Sequence, residues 1–110
     1  MKSRQLRPAA RQRARLERQM YQAILSLGNE RECRAFFADL CTPAELEALV
    51  DRWSVVGYLE DGVPYRRIHD LTGVSVTTIG RVARFLTNGN GGYRTVLERL
   101  RHTEETSDAR

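Results

Sequence analysis

The sequence predicts an all-α fold of about six helices with a helix-turn-helix, and three observations carry that reading. No segment of the 110 residues alternates apolar and polar side chains long enough to make a strand. Apolar residues recur instead at helical spacings of three and four in several windows. Residues 64–86, finally, read as two short helices joined at a glycine corner. A chain of this length, 41% hydrophobic, can form one small domain with a thin core, which oligomerisation would relieve. The expected organisation is a basic disordered arm over 1–13, a single helical domain over 14–102 and a disordered tail over 103–110.

Residues 1–13 have no apolar period and carry Lys2, Arg4, Arg7, Arg11 and Arg13 with no acidic residue. They read as an arm that tracks phosphates, or equally as a solubilising tail or the frayed start of the next helix. From 14 to 27, Leu16, Met20, Ile24 and Leu27, with Tyr21 beside them, give a first amphipathic helix that Gly28 stops. Asn29 can cap a second helix with Cys33, Phe36, Phe37 and Leu40 inward. Thr42-Pro43-Ala44-Glu45 combines a threonine cap, a proline at the first helical position and a glutamate three after the cap. The third helix it opens is long, with Leu46, Leu49, Val50, Trp53, Val56 and Gly57 on one face to about Glu60, before Asp61-Gly62.

Over 64–86, Pro64 fits a first helical turn, Ile68 and Leu71 supply an inward face, Gly73 makes the corner and Val74 plugs it. Ser75 can cap the next helix, about 76–86, whose stripe Ile79, Val82, Ala83 and Leu86 must face inward. Val76, Thr77, Gly80, Arg81 and Arg84 then fall on the outer surface, where a recognition helix meets the major groove. Arg81 and Arg84 suit phosphates or guanine edges, and Thr77 and Thr78 offer hydroxyls and methyls. The helix N-terminus at Ser75 favours a nearby phosphate, and Arg66 and Arg67 suit the flanking backbone. Gly80 costs roughly 1 kcal/mol against alanine inside a helix, a cost that close approach to DNA would justify. The plain alternative is a helical hairpin with a solvated basic face. A loop at Thr87-Asn88-Gly89-Asn90-Gly91-Gly92 leads to a last helix with Tyr93, Val96, Leu97 and Leu100. No strand precedes that loop and no Gly-Lys-Ser/Thr follows it, so it reads as a loop with left-handed caps rather than a phosphate loop.

The formal net charge of +4 conceals a split. Lys2, Arg4, Arg7, Arg11, Arg13, Arg15 and Arg18 against Glu17 give residues 1–18 a net +6 and leave the rest at −2. Within that remainder 64–86 is positive again, four arginines against Asp70. Two basic patches on a mildly acidic body point to a polyanion, most simply double-stranded DNA. Cys33 and Cys41 stand eight apart with no histidine at ligand spacing, which indicates buried thiols and neither a metal site nor a disulfide framework. No run is long and apolar enough for a bilayer, and the basic N-terminus is not followed by an unbroken apolar run, so a cytoplasmic protein with no membrane contact is expected. His69 and His102 lie far apart without evident acidic partners, so neither an enzyme nor a cofactor is expected.

Several landmarks together resemble the Trp repressor family over roughly 16–100. They are Leu40-Cys41-Thr42-Pro43 opening a long helix, Ala48-Leu49 followed by Arg52, and Thr78-Ile79 followed by Arg81. The Arg84-Phe85-Leu86 segment and the run Asn88-Gly89-Asn90-Gly91-Gly92-Tyr93-Arg94 are closer to its YerC/YecD branch. The resemblance implies an interlocked homodimer, with the first two helices and the last as its core, and operator binding by the helix-turn-helix. It also implies an effector pocket with Arg52 stacking on an indole, Arg81 gripping a carboxylate and Thr42 at the rim. This chain departs from the family at Val82, where a glycine is usual, and at Phe85, where a serine helps to hold the ligand. Both larger side chains take space an indole needs, so tight tryptophan binding is not expected. His69 departs too, since this position of a helix-turn-helix usually carries a small residue. The leading expectation is therefore a sequence-specific DNA-binding transcriptional regulator, a repressor by family. The alternatives are a ligand-gated repressor for a smaller effector, and a protein-interaction module that uses the helix-turn-helix.

Overall fold

The structure, a computed structural model, describes the backbone of residues 2–108 and the side chains of residues 9–104. Among these residues there are seven helices and no strand: α1 (Lys2–Leu25), α2 (Glu30–Leu40), α3 (Pro43–Ser54), α4 (Val56–Glu60), α5 (Tyr65–Thr72), α6 (Val76–Asn88) and α7 (Gly92–Asp108). The expected single domain divides into two compact units, Met1–Pro43 and Ala44–Arg110. No described helix is long and apolar enough to cross a membrane.

The first unit holds α1 and α2. Most of the expected disordered arm lies inside α1, and residue 1 lies outside the described residues. The missing apolar period was a poor guide there, because Ala9-Ala10-Arg11-Gln12-Arg13-Ala14-Arg15 are strong helix formers whatever faces they present. Pro8 deprives the helix of one backbone donor. Asn29 caps α2 as expected, its Oδ1 accepting from the Glu32 amide at 2.9 Å, while Glu32 Oε1 accepts from the Gly28 amide at 2.7 Å. Phe36 and Phe37 meet edge to face at 5.5 Å between centroids. Yet no described residue of this unit is fully buried, and Cys33 and Cys41 are free thiols only half covered.

The second unit contains the core. Val55, Val56, Ile68, Val74, Ile79, Val82 and Leu86 are buried together, with Leu59, Val63, Tyr93 and Leu97 packed against them. The expected long third helix is interrupted at Val55, which gives α3 and α4 in place of one rod. Ser54 Oγ donates back to the Asp51 carbonyl at 2.8 Å, the kind of bond that bends helices. Both valines of the pair Val55-Val56 reach full burial at this break. Two ion pairs fasten α7 to the end of α4: Arg94 to Glu60 at 2.9 Å and Arg101 to Asp61 at 2.8 Å. The expected disordered tail is helical to Asp108, and Thr103 Oγ1 donates to the Arg99 carbonyl at 2.9 Å; residues 109–110 lie outside the described residues. The polar composition of 103–108 removed the apolar signal but not the helix propensity of Glu104-Glu105.

Candidate nucleic-acid interface

The corner between α5 and α6 is held by a dense set of short-range hydrogen bonds. Pro64 is the N-cap residue of α5 rather than part of its first turn, and its carbonyl accepts from the Ile68 amide at 3.0 Å. Gly73 adopts φ 78°, left-handed and open to glycine, and its amide closes α5 onto the His69 carbonyl at 2.8 Å. Thr72 Oγ1 donates to the Ile68 carbonyl at 2.7 Å and accepts from the Val74 amide at 3.1 Å. His69 Nδ1 lies 2.7 Å from the Val74 carbonyl, so it carries the proton and donates across the turn. The residue that departs from the usual small side chain is thus part of the clasp. Val74 plugs the corner, buried as expected, but Leu71 is 47% exposed and does not share the inward face with Ile68.

Helix α6 starts at the expected cap: Ser75 Oγ accepts from the Thr78 amide at 3.1 Å and donates to Thr78 Oγ1 at 3.0 Å. Ile79, Val82 and Leu86 are buried and Ala83 is half buried, as their spacing requires. The remaining residues divide between two sides of the helix. Val76, Thr77 and Arg84 are exposed on the outer side with Gly80 between them, and Arg66 and Arg67 are exposed on α5. These arginines, and Arg81, make no ion pair with any described residue. Gly80 is half covered rather than open: a β-carbon built there would stand 3.9 Å from Cε2 of Tyr65, which sequence reasoning did not single out. A glycine in a helix interior within reach of an aromatic residue on the preceding helix is the signal that points to it.

The other side carries Thr78, Arg81 and Phe85, at helical spacing. With Arg52 of α3, Val82 and Tyr93 of α7 they line a cleft of about 300 Å³. Four of the five expected effector residues, Arg52, Arg81, Val82 and Phe85, are therefore neighbours, while Thr42 belongs to the first unit. Val82, 1% exposed, and Phe85, 53% exposed, both line this cleft. Thr78, expected at the groove, lies on this side with its hydroxyl engaged by Ser75. Tyr93 was missed as a lining residue; its place directly after the glycine run was the available signal. Beyond Phe85 and Tyr93 a more apolar hollow of about 500 Å³ opens against Trp53, Asn90, Gly92 and Val96. The turn between α6 and α7 needs its glycines: a β-carbon at Gly89 would collide with the Phe85 carbonyl, and Gly91 is left-handed at φ 81°.

The family model described as Trp repressor protein matches residues 16–101, most of the chain and all of this site. The chain belongs to the Trp repressor family. Within that family it is 41% identical over 92 residues to YerC of Bacillus subtilis (strain 168), an uncharacterized protein, covering 84% of this chain and 88% of YerC. Two solved Trp-repressor-like structures share its fold. A TrpR-like protein from Eubacterium eligens ATCC 27750 superposes with a TM-score of 0.72 at 44% identity, covering 76% of this chain and 86% of that one. A Staphylococcus aureus protein described as a candidate Trp repressor gives 0.75 at 40% identity, covering 80% and 87%. Proteins of the Trp repressor family are regulators rather than enzymes, and membership suggests a DNA-binding regulator.

Proposed function

We propose that this chain is a homodimeric, sequence-specific DNA-binding transcriptional regulator whose α6 enters the major groove. The observation that carries the reading is the outward side of α6. Thr77 and Arg84 are exposed there and Arg81 is exposed beside them at the cleft, neither arginine in an ion pair with a described residue, at the end of a corner clasped by hydrogen bonds. Unpaired arginines on a rigid helix are what phosphate and guanine recognition requires, and a threonine beside them can read a thymine methyl. Dimerisation supplies the second recognition helix, with half-sites about 34–36 Å apart. It also supplies a cover for the apolar side chains that α1 and α2 leave exposed, among them Leu16, Tyr21, Leu25 and Leu40. A cytoplasmic location follows from the DNA partner.

The test is selection of duplexes from a random library by the full chain, followed by substitution. Thr77→Ala should change which sequence is preferred, and Arg84→Ala should weaken binding to preferred and unrelated sequences alike. Absence of any preferred sequence in wild-type selections, or indifference of binding to both substitutions at low salt, would overturn the reading.

One observation supports gating by a small effector. The cleft between α3 and α6 is lined by Arg52 and Arg81, which make no ion pair with a described residue, together with the apolar side chains of Val82 and Phe85, a setting for an anionic ligand with a small apolar part. About 300 Å³ stands at the small end of ligand pockets, and with Val82 and Phe85 in its lining tight tryptophan binding is not expected. Calorimetry with single amino acids and small carboxylates decides: heat with one of them, lost in Arg52→Ala, supports the gate, and no heat with any removes it.

A further inference from the structure

A second basic surface lies in the first unit, apart from anything the helix-turn-helix uses. Arg11, Arg15 and Arg18 recur at intervals of four and three, so they share one face of α1, and all three are exposed. With Gln12 they line a shallow hollow of about 360 Å³. Arg15 donates from one guanidinium nitrogen to Gln12 Oε1 at 2.6 Å, which steadies that side chain and leaves its other donors free. No ion pair among the described residues reaches any of the three. In α7, by contrast, Arg94 and Arg101 are both held by carboxylates. Glu17, the one acid within residues 1–18, lies beside Tyr21 instead, where its charge and a hydrogen bond to it push the Tyr21 phenol above its usual pKa.

We propose that this arginine face of α1 is a sequence-independent nucleic-acid contact that grips backbone phosphates in addition to the groove contact of α6. It rests on the DNA-binding reading above and adds a surface to it. Arginine in place of lysine favours forked hydrogen bonds to phosphate oxygens. The three residues span about 10 Å of helix axis, a length that passes about three phosphates of one strand at ~3.4 Å each. An anionic membrane surface suits the chain less well. Leu16 and Met20, the exposed apolar residues on the side of α1 away from the arginines, are ones the proposed dimer covers, so in that assembly the helix offers a bilayer charge without a free apolar face.

The experiment uses the full chain and two fluorescent duplexes, one of mixed sequence and one chosen by the protein from a random library, titrated between 50 and 200 mM salt. The triple variant Arg11→Gln/Arg15→Gln/Arg18→Gln should lose at least about tenfold in affinity for both duplexes. Its slope of log K against log salt should flatten by roughly 2 to 3 for each subunit whose α1 touches the duplex, with the preference between duplexes unchanged. The corresponding triple Arg→Lys variant should keep most of the slope. The double variant Thr77→Ala/Arg84→Ala should lose the preference yet keep a mixed-sequence affinity that still depends on the three arginines. Unchanged affinity and slope in the triple Gln variant overturn the proposal while leaving the role of α6 intact. Equal loss in the Gln and Lys triples also overturns it. So does a defect seen only with vesicles of anionic phospholipid, in favour of a membrane. A wild type without sequence preference, whose mixed-sequence binding still falls in the triple Gln variant, removes the α6 reading and leaves this one standing.

Discussion

The first two helices and the helix-turn-helix are both amphipathic, but they spend their apolar residues differently. In α5, the corner and α6, Ile68, Val74, Ile79, Val82 and Leu86 are at most 8% exposed. In α1 and α2, Leu16, Met20, Tyr21, Leu25 and Leu40 are 39 to 82% exposed, and no described residue of that unit is buried. Periodicity therefore marks which side of a helix will be covered, but not by what. The helix-turn-helix is covered by its own side chains together with Val55, Val56, Leu59, Val63, Tyr93 and Leu97 of the same unit, whereas α1 and α2 keep an exposed apolar side. If the proposed dimer forms, that contrast separates stability held within the second unit from stability held through association.

The largest effect expected from the contrast is at Ile79, fully buried at the centre of the core. Ile79→Ala should cost about 2–5 kcal/mol, a large share of the total for a domain of this size, read as a lower urea midpoint with little change in slope. Next comes association. Leu16→Asp with Met20→Asp should convert a dimer to monomer in sedimentation and remove the rise of Tm with protein concentration expected of the wild type. A wild-type monomer whose Tm ignores concentration would break the comparison, because the apolar side of α1 would then need another cover.

The same contrast explains what could be read in the sequence. The all-α class, the start of α3 at Pro43, the Asn29 and Ser75 caps, the Gly73 corner and the buried stripe of α6 each follow from a local rule acting over a few residues. The misses arise where the deciding partner is remote or the signal is propensity alone. The break at Val55 coincides with two adjacent valines that are both fully buried, and the ends of α1 and α7 carry residues that form helix without an apolar period. At the candidate interface, helix geometry alone places Arg66, Arg67, Thr77 and Arg84 at exposed positions, whereas Arg81, expected beside them, lines the cleft. The nearness of Tyr65 to the space a β-carbon at Gly80 would take, the clasp from His69 to Val74 and the place of Tyr93 in the cleft join residues five or more apart through a turn, and no pattern within one helix encodes them.

A smaller loss is expected at Ser75, whose hydroxyl serves the Thr78 amide and the Thr78 hydroxyl together. Ser75→Ala should cost about 1 kcal/mol, and it frees Thr78 on the cleft side of α6. The comparison sharpens if amide exchange speeds up over 76–79 while α1 and α2 are unaffected.

The smallest expected change, and the only one in the stabilising direction, is at Gly80. A glycine in the interior of α6 lowers helix stability by up to about 1 kcal/mol relative to alanine. The space does not require it, because a β-carbon would meet only Tyr65 at 3.9 Å, an ordinary van der Waals distance. Gly80→Ala should therefore raise the unfolding midpoint by a few tenths to about 1 kcal/mol in stability. If the glycine is there to let α6 approach base edges, the same methyl group should weaken binding to the selected duplex by about tenfold or more while leaving mixed-sequence binding nearly unchanged, since phosphate contacts tolerate a small retreat from the groove floor. A variant that is both more stable and equally tight on the selected duplex would assign Gly80 to its place beside Tyr65 instead, and would move the closest approach to DNA toward Val76 and Thr77 at the start of the helix.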